Sequence, residues 1–198
     1  MATSWERLAN VTLSSTGDTL TTGTFTAKGH LMVTVVAIPS GNANPKMTLN
    51  NDGGSNYTRR RAEDGGSDDA SQSHTDIDFG RNATELIYAT FNIINIATKS
   101  KLVIGHTATN NTNGSGNCPK RSELLWRWNN TSDAVTRIDV ANSQNGDFAV
   151  GSTLTVWGAD DQGTSPFYPN IPNGGIFEES DTGKHYMWDG TDTWNEVT

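Results

Sequence analysis

Leu31-Met32-Val33-Thr34-Val35-Val36-Ala37-Ile38, closed by Pro39-Ser40-Gly41-Asn42, is the stretch that decides the fold. Its β-branched side chains crowd a helix and suit a pleated sheet. Eight residues between turn signals is a strand's length rather than a helix's. The run has almost no polar face, which predicts a central strand buried on both sides.

The same reading extends outward in both directions. Leu20, Thr22, Thr24 and Thr26 alternate with Thr21, Gly23, Phe25 and Ala27, the two-residue period of a strand. Further strands are predicted at Lys46–Asn50, Tyr57–Ala62, Thr75–Phe79, Lys101–Thr107, Glu123–Trp128, Val135–Val140 and Thr153–Trp157. Glu85–Ile96 is long enough for a helix, but Ile93-Ile94-Asn95-Ile96 and its aromatic content favour a strand. Asn51-Asp52-Gly53-Gly54, Asp64-Gly65-Gly66, Asn129-Asn130 and Asn145-Gly146-Asp147 supply turns between them, because Gly and Asn tolerate left-handed backbone angles. About ten short strands with this spacing predict an all-β fold, an antiparallel jelly-roll-like β-sandwich over residues 1–160.

The character changes after Trp157-Gly158-Ala159-Asp160. Residues 161–175 hold three of the six prolines and read as an extended Pro/Gly linker. Ile176–Glu179, Lys184–Trp188 and Thr193–Val197 then predict a small Trp-rich β-meander over residues 176–198. So short a segment buries little core by itself, so it is expected to dock on its own sandwich, a neighbouring subunit or another protein. Phe177, Tyr186, Trp188 and Trp194 are the expected interface anchors, since large aromatics dominate interface energetics.

Composition narrows the function. The 198 residues include 27 Thr, 16 Ser and 20 Asn, with 33% apolar and 18% charged residues. Six Trp, six Phe and four Tyr distinguish the chain from a disordered one. Formal charge is −8, and residues 161–198 hold seven acidic side chains against Lys184 alone. Phosphate binding needs clustered Lys and Arg, and Arg59-Arg60-Arg61 is interrupted at once by Glu63 and Asp64, so nucleic acid is not an expected partner. The triplet reads instead as a charged, solvated strand edge. Met1–Leu8 lacks a basic region followed by an apolar core, and no apolar run reaches a membrane-spanning length, so neither a secretory signal nor a membrane partner is expected.

Catalytic and metal-binding patterns are scarce. His30, His74, His106 and His185 stand far apart, with no metal-ligand spacing. Cys118 lies in Asn113–Pro119 without a flanking His or acid, so it reads as a loop or intersubunit thiol rather than a nucleophile. Asp76 and Asp78 share one face of a strand and could form a glycosidase-type pair, but read as solvated edge acids. Loops 51–56 and 64–69 offer hard oxygens of the kind Ca²⁺ prefers, without the spacing of a calcium loop. No cofactor is expected. Trp126 and Trp128 share a strand face, either as a sugar-stacking platform or, as favoured here, as sandwich core.

Two stretches resemble known proteins. Trp5-Glu6-Arg7-Leu8 with Gly17-Asp18-Thr19-Leu20 and Asn50–Arg60 resembles a jelly-roll-like β-sandwich of structural proteins in tailed bacteriophages and related viruses. Phe177–Gly190 with Trp194 is similar to a short Trp-rich module at the ends or junctions of phage virion proteins. The resemblance implies a virion component on a head, collar or tail. The expectation is therefore a non-enzymatic virion structural protein, a capsid decoration or surface component that forms a homo-oligomer and contacts other virion proteins. The alternatives are a host-glycan or receptor-binding module using loops 51–56, 64–74 and 110–119, and a glycan depolymerase drawing on Glu85, Glu123, Asp76 and Asp78.

Overall fold

The computed structural model describes residues 5–80, 84–110, 115–160, 173–190 and 193–197. Every regular element among them is a strand. In chain order they are β1 (Glu6–Thr12), β2 (Thr19–Thr21), β3 (His30–Ala37), β4 (Pro39–Ser40), β5 (Pro45–Leu49) and β6 (Tyr57–Glu63). Next come β7 (Asp69–His74), β8 (Ile77–Asp78), β9 (Ile87–Ile94), β10 (Lys101–Thr109), β11 (Lys120–Trp128) and β12 (Ile138–Asn142). The last are β13 (Asp147–Phe148), β14 (Thr153–Ala159), β15 (Ile176–Glu179), β16 (Lys184–Trp188) and β17 (Trp194–Val197).

Trp5–Ala159 forms one compact unit, and the chain from Asp160 onward belongs to a second. The first unit is an antiparallel, jelly-roll-like sandwich with unequal layers. Its large sheet has eight strands in the order β1-β14-β3-β9-β10-β11-β6-β7, and its smaller one has four, β2-β12-β5-β8. A short β13-β4 ribbon completes it. Between the layers lies one continuous core that includes Leu31, Val33, Val35, Met47, Ile77, Phe79, Phe91, Trp126, Trp128 and Val140.

The decisive run is indeed an interior strand, flanked by β14 and β9. It is buried on one face only: Leu31, Val33, Val35 and Ala37 are fully covered, while Met32, Thr34 and Val36 on the outer face are half-exposed. An unequal sandwich explains the difference, because the four-stranded layer covers one side of the large sheet. The predicted strand from Leu20 to Ala27 shrinks to β2, since Gly23 takes φ +65° and turns the chain away. β7 occupies a segment that reads as loop in the sequence, and β1 runs through a segment that shows no clear alternation.

The abundance of Asn has a structural cause. Asn95 Oδ1 accepts from Val135 N at 2.6 Å, and its Nδ2 donates to the Lys28 and Val135 carbonyls at 2.9 and 3.1 Å. Asn50, at φ 53°, accepts from Thr136 N and Arg137 N and donates to Ala134 O. Asn142 accepts from Asn44 N and Gln144 N. Each amide offers a donor and an acceptor to backbone that no ladder pairs, so irregular connections are satisfied without helices.

The second unit is a three-stranded antiparallel meander, β15-β16-β17, as its sequence predicts. Gly183 at φ +67° and Gly190 at φ +87° form its turns. Of the predicted linker, residues 161–172 lie outside the described residues.

Candidate functional site

The meander places the four expected anchors together. Phe177 pairs with Tyr186 across β15 and β16, and Trp188 pairs with Trp194 across β16 and β17. Tyr186 and Trp188 are two residues apart, so all four rings share one face. The centroid distances are 6.4 Å for Phe177–Tyr186, 6.0 Å for Phe177–Trp194 and 5.3 Å for Trp188–Trp194. Trp188 is the buried base of this cluster, while Phe177 stays 52% exposed. Lys184 and Glu196 close the same face with a 3.0 Å ion pair, and Glu196 holds the Lys184 ammonium above its ordinary range. The opposite face exposes Ile176, Met187 and Val197 among Glu178, His185 and Asn195. The meander thus exposes apolar side chains on both faces, whereas a solvated sheet ordinarily keeps one face polar.

A second surface was not foreseen from the sequence. The outer face of the eight-stranded sheet exposes Tyr88, Ile94, Leu102, Ile104 and Leu125, with Ile96 just beyond β9. One register row carries Leu125, Ile104, Asn92, Met32 and Trp157 side by side on five adjacent strands. His106 and Glu123 face each other in the next row, and with Arg60 and Asp68 they border a depression of about 180 Å³. The available signal was the apolar residue at both parities of β9 and β10, as in Ile93-Ile94 and Leu102-Val103-Ile104, which leaves one apolar set outside whichever way the strand faces.

The charged motifs adopt a different arrangement from the expected one. Arg59-Arg60-Arg61 is not a solvated edge: β7 lies outside β6, and Arg59 and Arg61 turn inward. Their guanidinium groups stand 3.9 and 3.8 Å from Asp78 Oδ2, while Arg60 remains outside in a 3.0 Å pair with Asp68. Asp76 and Asp78 are likewise not freely solvated, at 19% and 22% side-chain exposure. Burial pushes the Asp78 carboxyl above its ordinary range, partly offset by Arg61 and Lys46. Burial pushes the neighbouring His74 imidazole down, assisted by Arg59. Arg59 lies over the Trp126 ring at 5.9 Å, and His74 meets that ring edge-on at 5.2 Å. These residues form a polar seam between the sheets.

The acids considered for glycoside chemistry do not converge. Asp76 and Asp78 belong to the seam, Glu123 stands on the outer sheet face at 53% side-chain exposure beside Arg121, and Glu85 precedes β9. Trp126 and Trp128 are core residues, at 0% and 1% exposure. Loop 51–56 is organised from within: Asp52 accepts from Gly54 N, Asn56 Nδ2 and Trp128 Nε1 at 2.8, 2.9 and 2.7 Å. Its oxygens are thereby committed to the chain. Part of loop 110–119 lies outside the described residues, and Cys118 is exposed. No group of three or more His, Cys, Asp or Glu suited to a metal ion occurs among the described residues, and no helix there is long and apolar enough to cross a membrane.

No protein-family model and no curated protein matches the chain. A solved structure, the Scytalido-glutamic peptidase with a peptide-based transition-state analogue, aligns at 12% identity and a TM-score of 0.24. The alignment covers 76% of this chain and 73% of that one. A likeness so low carries no functional argument.

Proposed function

We propose that the chain is a non-enzymatic structural protein of a virus particle, a capsid decoration or a head or tail surface component that works as an oligomer. The observation that carries this reading is the meander: four aromatics on one face, three exposed aliphatics on the other, and a mostly acidic surround. Such an element gains little by folding in water and much by being covered. The resemblance of its sequence to modules at the junctions of phage virion proteins supports a particle as the setting. The bare outer face of the large sheet supports assembly independently, and the scattered acids favour a non-enzymatic role.

The test is particle incorporation. The full chain is expressed in its source cells, particles are isolated on a density gradient, and its particle-bound fraction is compared with that of a Phe177→Ser, Ile176→Ser variant. The proposal expects the variant to remain folded and soluble while its bound fraction falls at least about tenfold, the scale of losing one well-placed aromatic anchor. Equal incorporation of both would overturn it.

A further inference from the structure

We infer that the outer face of the eight-stranded sheet binds a second copy of this chain through the same face, about a two-fold axis running across the strands along the Leu125–Ile104–Asn92–Met32–Trp157 row. The inference rests on the reading of the protein as an assembly component and names the surface that joins the copies.

Three features favour another copy over an unrelated partner. First, β11 carries a self-complementary pattern on its outward side: Glu123, Leu125 and Arg127 in successive outward positions. A two-fold axis through Leu125 exchanges the positions on either side of it. Arg127 of each copy then lies over Glu123 of the other, giving two charge pairs that bracket an apolar centre. Arg127 has no ion pair among the described residues, and Glu123 has only a 3.7 Å contact with exposed Arg121.

Second, the row on the axis meets its own copy, and it is the most apolar row on that face. Ile104, at 55% exposure, falls on its counterpart near the centre, with Leu125, Met32 and Trp157 arrayed on either side of it. Leu102 lies beside Arg127 in register, and so falls over the His106 ring, which stands beside Glu123. Arg60, next to Leu125, and Arg7, next to Trp157, stand at the two ends of the row and meet their own kind there, and Asp68 neutralises Arg60 at 3.0 Å.

Third, the size is right. The seven adjacent strands from β1 to β6 in the sheet order, at about 4.8 Å, and the three rows on and beside the axis, at about 6.8 Å, cover roughly 690 Å² in projection. A standard stable interface buries about 800 Å² per partner. An isologous pair of this kind is the commonest way for a soluble protein to oligomerise.

Charge reversal in the full chain tests the axis itself. Glu123→Arg and Arg127→Glu are each expected to raise the dimer dissociation constant at least about tenfold in low salt, read by sedimentation velocity over a concentration series. Each places like charges face to face, which weakens an interface. The double variant, which restores opposite charges in the exchanged positions, is expected to return within about threefold of wild type. Ile104→Lys, also on the outer surface, is expected to give a monomer with the circular dichroism spectrum of wild type and a melting temperature that no longer depends on concentration.

A monomeric wild type, a dimer indifferent to all three single variants, or single-variant losses that the double variant fails to recover would each overturn the inference. The outcome is separable from the particle test: the charge variants leave the meander untouched, and the meander variant leaves the sheet face untouched.

Discussion

Trp128 Nε1 donates to Asp52 Oδ2 at 2.7 Å, joining a core strand to a turn 76 residues earlier in the chain. The same carboxylate caps its own loop through Gly54 N and Asn56 Nδ2. Tyr57, the first residue after that loop, donates its hydroxyl to Asp52 O and accepts from Leu49 N, both at 3.1 Å. Loop 51–56 is thus a fastener between the two sheets of the sandwich.

Replacing Asp52 with Ala should therefore destabilise the sandwich by about 2–3 kcal/mol, because a charged acceptor is lost and the buried Trp128 N–H is left unpaired. Chemical denaturation of the full chain checks this. A loss below about 0.5 kcal/mol would mean that the fastener carries no weight.

The pH dependence of Asp52 and Asp78 should be opposite in sign. Burial works against the charge on Asp52, but its bonds from Trp128, Gly54 and Asn56 hold it below the ordinary 3.8, so the stability it lends is complete above that value and drains as pH falls through its lowered pKa. Asp78 is raised above 3.8 by burial, so the folded state keeps a proton that the unfolded chain releases, and stability falls as pH rises from 3.8 to the raised value. Carboxyl NMR titration should place the Asp78 midpoint above the Asp52 midpoint, and the stability advantage of wild type over Asp78→Asn should shrink as pH rises across that window. Equal midpoints would contradict both assignments.

Gly105 faces the core from β10, and a Cβ there would run into the Phe91 ring and the Thr90 carbonyl. Gly105→Ala should cost about 1–3 kcal/mol through overpacking, although alanine is ordinarily harmless in a strand. Thermal unfolding reads the loss directly. A melting temperature equal to wild type would show that the β9–β10 pair can separate to admit the methyl group.

Within the meander, Trp188 and Phe177 should behave differently. Trp188 is 5% exposed and forms the base of the aromatic cluster, so Trp188→Ala should unfold the three strands and collapse the dispersion of the Ile176 and Val197 methyl signals. Phe177, half-exposed, should be replaceable by Ala with a change of less than about 1 kcal/mol. Similar effects at the two positions would refute the division between base and exposed face.

What the sequence revealed followed from strong local patterns. The β-branched run at 31–38, the Asn-Gly and Asp-Gly turns and the aromatic spacing of the tail specify strands locally, and each became a strand or turn close to its expected place. β7 was missed because Asp69-Ala70-Ser71-Gln72-Ser73-His74 has no apolar alternation; it is a strand because β6 offers it a partner and Arg59 pairs with Asp69. The inward turn of Arg59 and Arg61 was equally hidden, since it depends on Asp78, which belongs to the other sheet. Of the candidate site, the four aromatics were legible as residues and their common face follows from the strand period. The outer sheet face was not legible, because a strand apolar on both sides reads in sequence as doubly buried until the extent of the covering layer is known.

The account stands most directly on the mass of the full chain in solution. Light scattering over a concentration series should approach twice 21.3 kDa at high concentration and stay at the single-chain value when Ile104 is replaced by Lys. A mass of 21.3 kDa at every concentration would contradict a protein that works as an assembly of copies.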